Sequence, residues 1–245
     1  MEPLVDNLLT TQVLVIGSGI AGGTVALDLA DAGVKVAVVT RAADPHDSNT
    51  YYAQGGIMWP GAPGDSLDLA EQDVMRAGHG HCLPSAVHTV VQDGNKEIPR
   101  LLLDRLGVDF DRNKDGSLTL IREAAHSTDR ILHSADATGA AIQKALIKAL
   151  LEHPNVEVLT DYTAIDLLTP AHHSKDRLQV YSPTSCVGAY LLDCRSRKVH
   201  RCLANYTVLA TGGLGRLFLR TTNPKGARGD GIAMAHRAGA RVINT

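Results

Sequence analysis

Gln12-Val13-Leu14-Val15-Ile16 runs directly into Gly17-Ser18-Gly19-Ile20-Ala21-Gly22. The first five residues are a short, β-branched apolar run, which reads as a buried strand. The next six fit GxGxxG. Beyond them, Val25, Leu27, Leu29 and Ala30 recur at helical spacing over Thr24–Ala32, and Gly33 stands where a helix commonly ends in a left-handed residue. Val34–Val39 (VKVAVV) is a second buried strand. Strand, helix and strand in such short order form a βαβ unit, whose strands run parallel. A GxGxxG alone is a weak signal and can be an ordinary strand–helix turn. Between a buried strand and a helix it becomes a dinucleotide-binding turn. Gly17 then makes the tight turn, Gly19 lets the backbone approach a diphosphate, and Gly22 lets the helix lie close on the strand. The first-turn N–H groups and the helix dipole favour the phosphate charge.

An acidic residue at the tip of the second strand would hold the adenosine ribose. Here the strand ends Val38-Val39-Thr40-Arg41, with no carboxylate. Two readings stay open on the residues alone: NADP with its 2′-phosphate on Arg41, or FAD with an atypical ribose contact.

The chain has 245 residues, which suits one large domain or two small ones at ~100–200 residues each. Lys plus Arg is 24 against 26 Asp plus Glu, a net charge of −2, so no basic field points to nucleic acid. Aromatic residues are scarce, which also argues against base-stacking platforms. The four cysteines, Cys82, Cys186, Cys194 and Cys202, form no CxxC pair and read as reduced cytosolic thiols. Met1–Asp6 is acidic and lacks the apolar run of a signal peptide, and no stretch approaches the ~18 apolar residues of a membrane helix. The expected home is the cytoplasm, with no membrane partner.

Further along, residues 41–64 lack periodicity and read as a long working loop. It contains a second glycine cluster, Asn49-Thr50-Tyr51-Tyr52-Ala53-Gln54-Gly55-Gly56, suited to lie against a flat ring. Helices are expected over Leu69–Ala77 with Ser66 or Asp68 as cap, over Pro84–Leu106 closed by Gly107, over Ala137–Leu151, and over Ile232–Gly239. Val156–Thr160 and Ala164–Leu168 read as strands. Leu178–Tyr181, Val187–Cys194 and Lys198–Leu203 read as a small antiparallel meander, and Tyr206–Ala210 as another buried strand before Thr211-Gly212-Gly213. Gly229-Asp230-Gly231 opens the last helix, with Asp230 either its N-cap or an acceptor for a ribityl or ribose hydroxyl. The expected fold is α/β: a Rossmann-like, doubly wound domain over residues 1–245 with an antiparallel β-meander.

Six motifs occur in an order that carries a resemblance: Gly17–Gly22; the loop NTYYAQGG; Arg122-Glu123 to His126-Ser127; Arg130-Ile131-Leu132-His133 with Ala135–Gly139; Ala210–Gly213; and Thr221–Pro224 with Gly229–Gly231. Together they resemble the L-aspartate oxidases within the succinate dehydrogenase/fumarate reductase flavoprotein family, over about Gln12 to Asn244. That resemblance resolves the fork at Arg41 in favour of FAD. Succinate dehydrogenase flavoproteins usually carry a covalently flavinylated His before AQGG. Asn49–Tyr52 contains none, so the resemblance implies non-covalent FAD.

It also implies oxidation of L-aspartate to iminoaspartate, with O2 or fumarate as electron acceptor, a product bound for quinolinate and NAD, and quinolinate synthase as a candidate partner. By resemblance, Gly17, Ser18, Gly19, Ile20, Ala21 and Gly22 hold the diphosphate and Arg41 lies near the adenosine. Asn49 through Gly56 pack along the flavin, and Thr211, Gly212 and Asp230 meet the cofactor. Glu123 is the candidate for orienting the substrate amino group; the plain alternative is a surface carboxylate. Ala124 and Ala125 stand at glycine-type positions of the family, so a different local backbone is expected.

Other polar clusters take the plain reading. His79-Gly80-His81-Cys82 is a solvated loop rather than a metal site, and Asp111–Gly116 lacks the closing Glu of a calcium loop. His172-His173 sits in a polar loop. The resemblance implies a further capping domain, a catalytic Arg and a C-terminal helical domain, none of which can be named in these residues. The expectation is a truncated chain with little turnover of its own, because one carboxylate cannot both hold a dicarboxylate and handle the proton.

Overall fold

The computed structural model describes residues 8–243. In chain order the elements are β1 (Leu8–Ile16), α1 (Ile20–Asp31), β2 (Val36–Val39), β3 (Ile57–Met58), α2 (Leu67–Ala77), α3 (Pro84–Glu97), β4 (Leu120–Ile121), β5 (Ile131–Leu132), α4 (Thr138–Glu152), β6 (Val156–Leu159), β7 (Tyr162–Leu167), α5 (Pro170–His173), β8 (Gly188–Asp193), β9 (Lys198–Leu209) and α6 (Asp230–Arg237). They fall into two compact units, residues 50–145 and the remainder.

The unit formed by residues 1–49 and 146–245 carries a six-stranded sheet in the order β6-β2-β1-β9-β8-β7. β6, β2, β1 and β9 are mutually parallel; β8 and β7 are antiparallel. Alternation along β1 explains its continuous apolar run. Leu14 and Ile16 join Ala37, Val39, Leu191, Cys202 and Met234 of α6 in one core cluster. Val13 and Val15 point to the opposite face and are equally buried, as are Ala26 and Leu27 of α1 and Leu146 and Leu150 of α4. Gly22 lies over Val15, and a Cβ there would come within 3.1 Å of the valine Cγ1. Helices thus cover both faces, the arrangement in which parallel strands lose their polar face. Gly33, at φ +86°, follows α1 as expected.

Residues 50–145 form the second unit. Its sheet has three strands in the order β3-β5-β4, all antiparallel. Helices α2 and α3 pack through Ala70, Val87 and Val91, against which Met58, Val74 and Cys82 lie. Of the two caps expected for α2, Ser66 is the one used: its side chain accepts a hydrogen bond from Leu69 N at 3.1 Å. The expected single helix Pro84–Leu106 changes spacing at Ile98 and continues as a π-helix through Arg105. Pro99 has no N–H to donate, which disfavours regular α spacing there.

Three expectations change. Leu178–Tyr181 is a 3₁₀ turn (Arg177–Tyr181), not a strand; Leu178, Val180 and Tyr181 are exposed, with no strand to pair. The antiparallel meander is instead β7-β8-β9. Lys198–Leu203 and Tyr206–Ala210 are one strand, β9, whose parallel register to β1 continues through Ala204. The loop 41–64 contains a strand, β3, too short to show a period. Met1–Asp6, Asn244, Thr245 and the side chains of His172 and His173 lie outside the described residues.

Candidate functional site

The glycine turn sits at the carboxyl ends of parallel strands. Gly17 N donates to Val39 O of β2 and Ala210 N donates to Ile16 O of β1, both at 2.9 Å. Ligands bind at this edge of open α/β sheets. Gly17 has φ +120°, and a Cβ on it would overlap the carbonyl of Ala210. Ser18 is buried, and its Oγ donates to Pro45 O at 2.9 Å. Helix α1 starts from Gly19 as N-cap, with no side-chain cap and no acidic residue in its first turn. The positive pole of the helix dipole at this end favours an anion.

Other expected residues gather in the same unit. Arg41 Nη1 meets Asp230 Oδ2 at 2.7 Å, and its Nη2 donates to Gly226 O at 2.9 Å. Arg228 reaches the same Asp230 oxygen at 3.0 Å. Burial acts to raise the Asp230 carboxyl, but hydrogen bonds and charge from Arg228 and Arg41 outweigh it and hold it below 3.8. Asp230 is not the N-cap of α6; that position is Gly229, at φ +78°, and Asp230 is the first helical residue. Thr211 Oγ1 packs against Gly231, and a Cβ on Gly212 would lie 3.1 Å from Asn49 Nδ2.

In the unit of residues 50–145, the segment Thr50–Gly56 begins with a turn closed by Ala53 N to Thr50 O at 3.2 Å. Tyr52, Ala53, Gln54 and Gly55 are exposed. Gly56 N donates to Glu123 Oε1 at 3.2 Å, so the candidate substrate carboxylate touches the expected flavin segment. Glu123 itself is exposed. Ala125 has φ +70°. Ala125 thus holds a left-handed backbone of the kind that glycine adopts at no steric cost.

One assembly here was missed from the sequence. Arg130 is fully buried, with Nε and Nη2 donating to the two carboxylate oxygens of Asp65 at 2.9 and 2.8 Å, and Nη1 to Asp73 Oδ2 at 2.8 Å. Asp73, also buried, accepts from Ser127 N and Oγ, both at 2.8 Å, and from Arg76. Burial acts to raise the Asp73 carboxyl, but the Ser127 hydrogen bonds and the Arg130 charge hold it at about 2. The cluster pins Ser127, four residues beyond Glu123. Arg130 and Ser127 stand within the motifs of the sequence, but the two acids, dozens of residues away, leave no local pattern. His79 and His81 are exposed, and among the described residues no group of three His, Cys, Asp or Glu could hold a metal.

Residues 12–245 match the model of the FAD binding domain. The chain belongs to that family. Its cofactor is FAD, and the first turn fits the diphosphate: a helix start with no acidic residue in its first turn, behind a turn that only a glycine at position 17 permits. The domain is 44% identical over 230 residues to the chloroplastic L-aspartate oxidase of Arabidopsis thaliana, covering 94% of this chain and 34% of that protein. It is 43% identical to L-aspartate oxidase 1 of Ralstonia nicotianae, covering 95% of this chain and 42% of the relative. The chain thus spans well under half the length of these curated relatives. Among solved structures it is similar to E. coli quinol fumarate reductase (TM-score 0.82, 25% identity, covering 93% of this chain and 37% of that one). The Sdh1 complex of Mycobacterium smegmatis is similar too (TM-score 0.83, 25% identity, 95% and 39%). The fold is therefore the FAD-binding fold of the succinate dehydrogenase/fumarate reductase flavoproteins.

Proposed function

We propose that this FAD-binding domain serves the oxidation of L-aspartate to iminoaspartate. Identity to L-aspartate oxidases across nearly the whole chain carries the reading. Residues 1–245 act as one FAD-binding domain. Gly17–Gly22 hold the diphosphate on the end of α1, Arg41 lies near the adenosine, and Thr211, Gly212 and Asp230 meet the cofactor. Asn49–Gly56 pack along the flavin. Glu123 orients the substrate ammonium by a charge-assisted hydrogen bond, leaving Cα aligned for loss of hydride. Bound FAD supplies the acceptor for that hydride. With O2 or fumarate as the final electron acceptor, the imine would feed quinolinate and NAD synthesis through quinolinate synthase. Four free cysteines among the described residues support a reducing, cytosolic setting. Among those residues no helix is long and apolar enough to cross a membrane.

The test is to purify the 245-residue chain, record its flavin absorbance, denature it, and separately add L-aspartate without oxygen. The expected result is yellow protein whose colour leaves on denaturation, since Asn49–Tyr52 offers no histidine for a covalent bond. Bleaching by L-aspartate supports the substrate. Bleaching by succinate instead, or colour retained by the denatured chain, would move the reading to succinate dehydrogenase or fumarate reductase. A chain that takes up no FAD would overturn the cofactor assignments.

A further inference from the structure

Gly139, the second residue of α4, is buried against the chain of Thr50–Ala53. Its N–H donates to Ala53 O at 3.0 Å. A Cβ at this position would overlap the carbonyl oxygen of Thr50, and would lie 2.6 Å from Ala53 O and 2.9 Å from Ala53 Cβ. Two of these three atoms are backbone and cannot swing away as the end of a side chain can. The neighbouring Thr138 is buried and turns its Oγ1 to accept from Ser134 N at 3.0 Å, fixing where the helix starts. The far end of the same segment is gripped in a comparable way: Gly56 lies on the Leu132 carbonyl of β5 and donates to Glu123. Between these two grips the segment makes a turn and then four consecutive exposed residues, Tyr52–Gly55.

We propose that Gly139 is a positioning residue for FAD: the start of α4 is a seat that sets the path of Thr50–Ala53 and thereby the surface offered to the flavin. Gly139 acts through the segment it supports rather than by touching the cofactor. A side chain of any size at position 139 lifts the turn off its seat and breaks the bond to Ala53. The inference rests on the reading that Asn49–Gly56 packs along the flavin.

The test compares FAD affinity and the visible circular dichroism of bound flavin in four chains: the parent, Gly139→Ala, Gln54→Ala in the exposed segment, and Gly94→Ala. Gly94 is a helical glycine of α3 with nothing within 4 Å of its Cβ position, so it controls for a glycine-to-alanine change in a helix. Gly139→Ala is expected to weaken FAD binding at least tenfold and to alter the flavin signal, with Gly94→Ala unchanged. If Gln54→Ala weakens binding and Gly139→Ala does not, the seat is overturned and the flavin segment stands. If Gln54→Ala has no effect, the flavin segment falls and the seat with it, as both do if the parent holds no FAD. Should Gly139→Ala fail to fold, hydrogen exchange on the parent decides. The Gly139 amide is expected to be protected and to slow further when FAD binds; exchange at the unprotected rate in both states overturns the proposal.

Discussion

Asp73 accepts from Ser127 N, Ser127 Oγ, Arg130 and Arg76 while its side chain is fully buried. Removing its charge leaves the Arg130 guanidinium half paired in a dry site, and breaking a buried pair costs about 3–5 kcal/mol. Asp73→Asn is therefore expected to lower stability by about that amount in a denaturant titration, with Asp65→Asn behaving similarly. The pH dependence has a definite sign. The folded carboxyl lies at about 2, below its ordinary 3.8, so its contribution is complete above 3.8 and is lost as pH falls from there toward 2. Melting curves of the parent and of Asp73→Asn are expected to differ most above about pH 4 and to converge toward pH 2. Ala125 sits at φ +70°, where a Cβ costs about 1–2 kcal/mol. Ala125→Gly is expected to stabilise the chain by about 0.5–1 kcal/mol, the left-handed penalty less the added freedom of glycine when unfolded; a lowered melting temperature would refute that account. Individual residues were the least legible scale. Arg130 is visible in the sequence, but its partners at 65 and 73 are set by the meeting of α2 with β5, which no spacing announces.

Elements were legible where their period was long enough to read. β1, α1 and β2 carry an apolar run, a helical repeat and a glycine stop, and the structure places them within a few residues of their expected bounds. The two-residue strands β3, β4 and β5 have no period at all. Leu178–Tyr181 has the alternation of a strand, yet no neighbour offers it hydrogen bonds, so pattern without a partner settles as a 3₁₀ turn. From the sequence β9 reads as two strands, Lys198–Leu203 and Tyr206–Ala210; pairing on β1 carries it through Ala204-Asn205. Two predictions belong here. Leu14→Ala, in a residue with no exposure between strands and α6, is expected to cost about 2–5 kcal/mol, read by chemical denaturation. Gly17→Ala places a Cβ on the Ala210 carbonyl at φ +120° and is expected to abolish FAD uptake, read by flavin absorbance of the purified variant.

Across the whole molecule, the four free cysteines differ in surroundings. Cys202 is buried in the sheet core; burial, then the charge of Glu157, pushes its thiol up to about 11, whereas Cys194 is exposed. A thiol reagent near neutral pH is expected to label Cys194 early and Cys202 only after unfolding, since the thiolate is the reacting form. Rapid labelling of Cys202 in the folded chain would contradict the packing of β9. The fold class was legible at this scale because a parallel sheet follows from one βαβ unit; the division into two compact units was not, since no linker composition marks residues 49 and 146. The long strand β9 also bears on how the protein is made. β1 leaves the ribosome well before its partners on one side, Arg201–Leu209, which come nearly two hundred residues later. Until those residues emerge, one hydrogen-bonding edge of an apolar strand stays open, a template for pairing with other chains. A chain cut between β1 and Lys198 would therefore leave β1 without that partner, so the burden of avoiding aggregation during synthesis falls on chaperones or on translation speed rather than on the sequence of β1 itself.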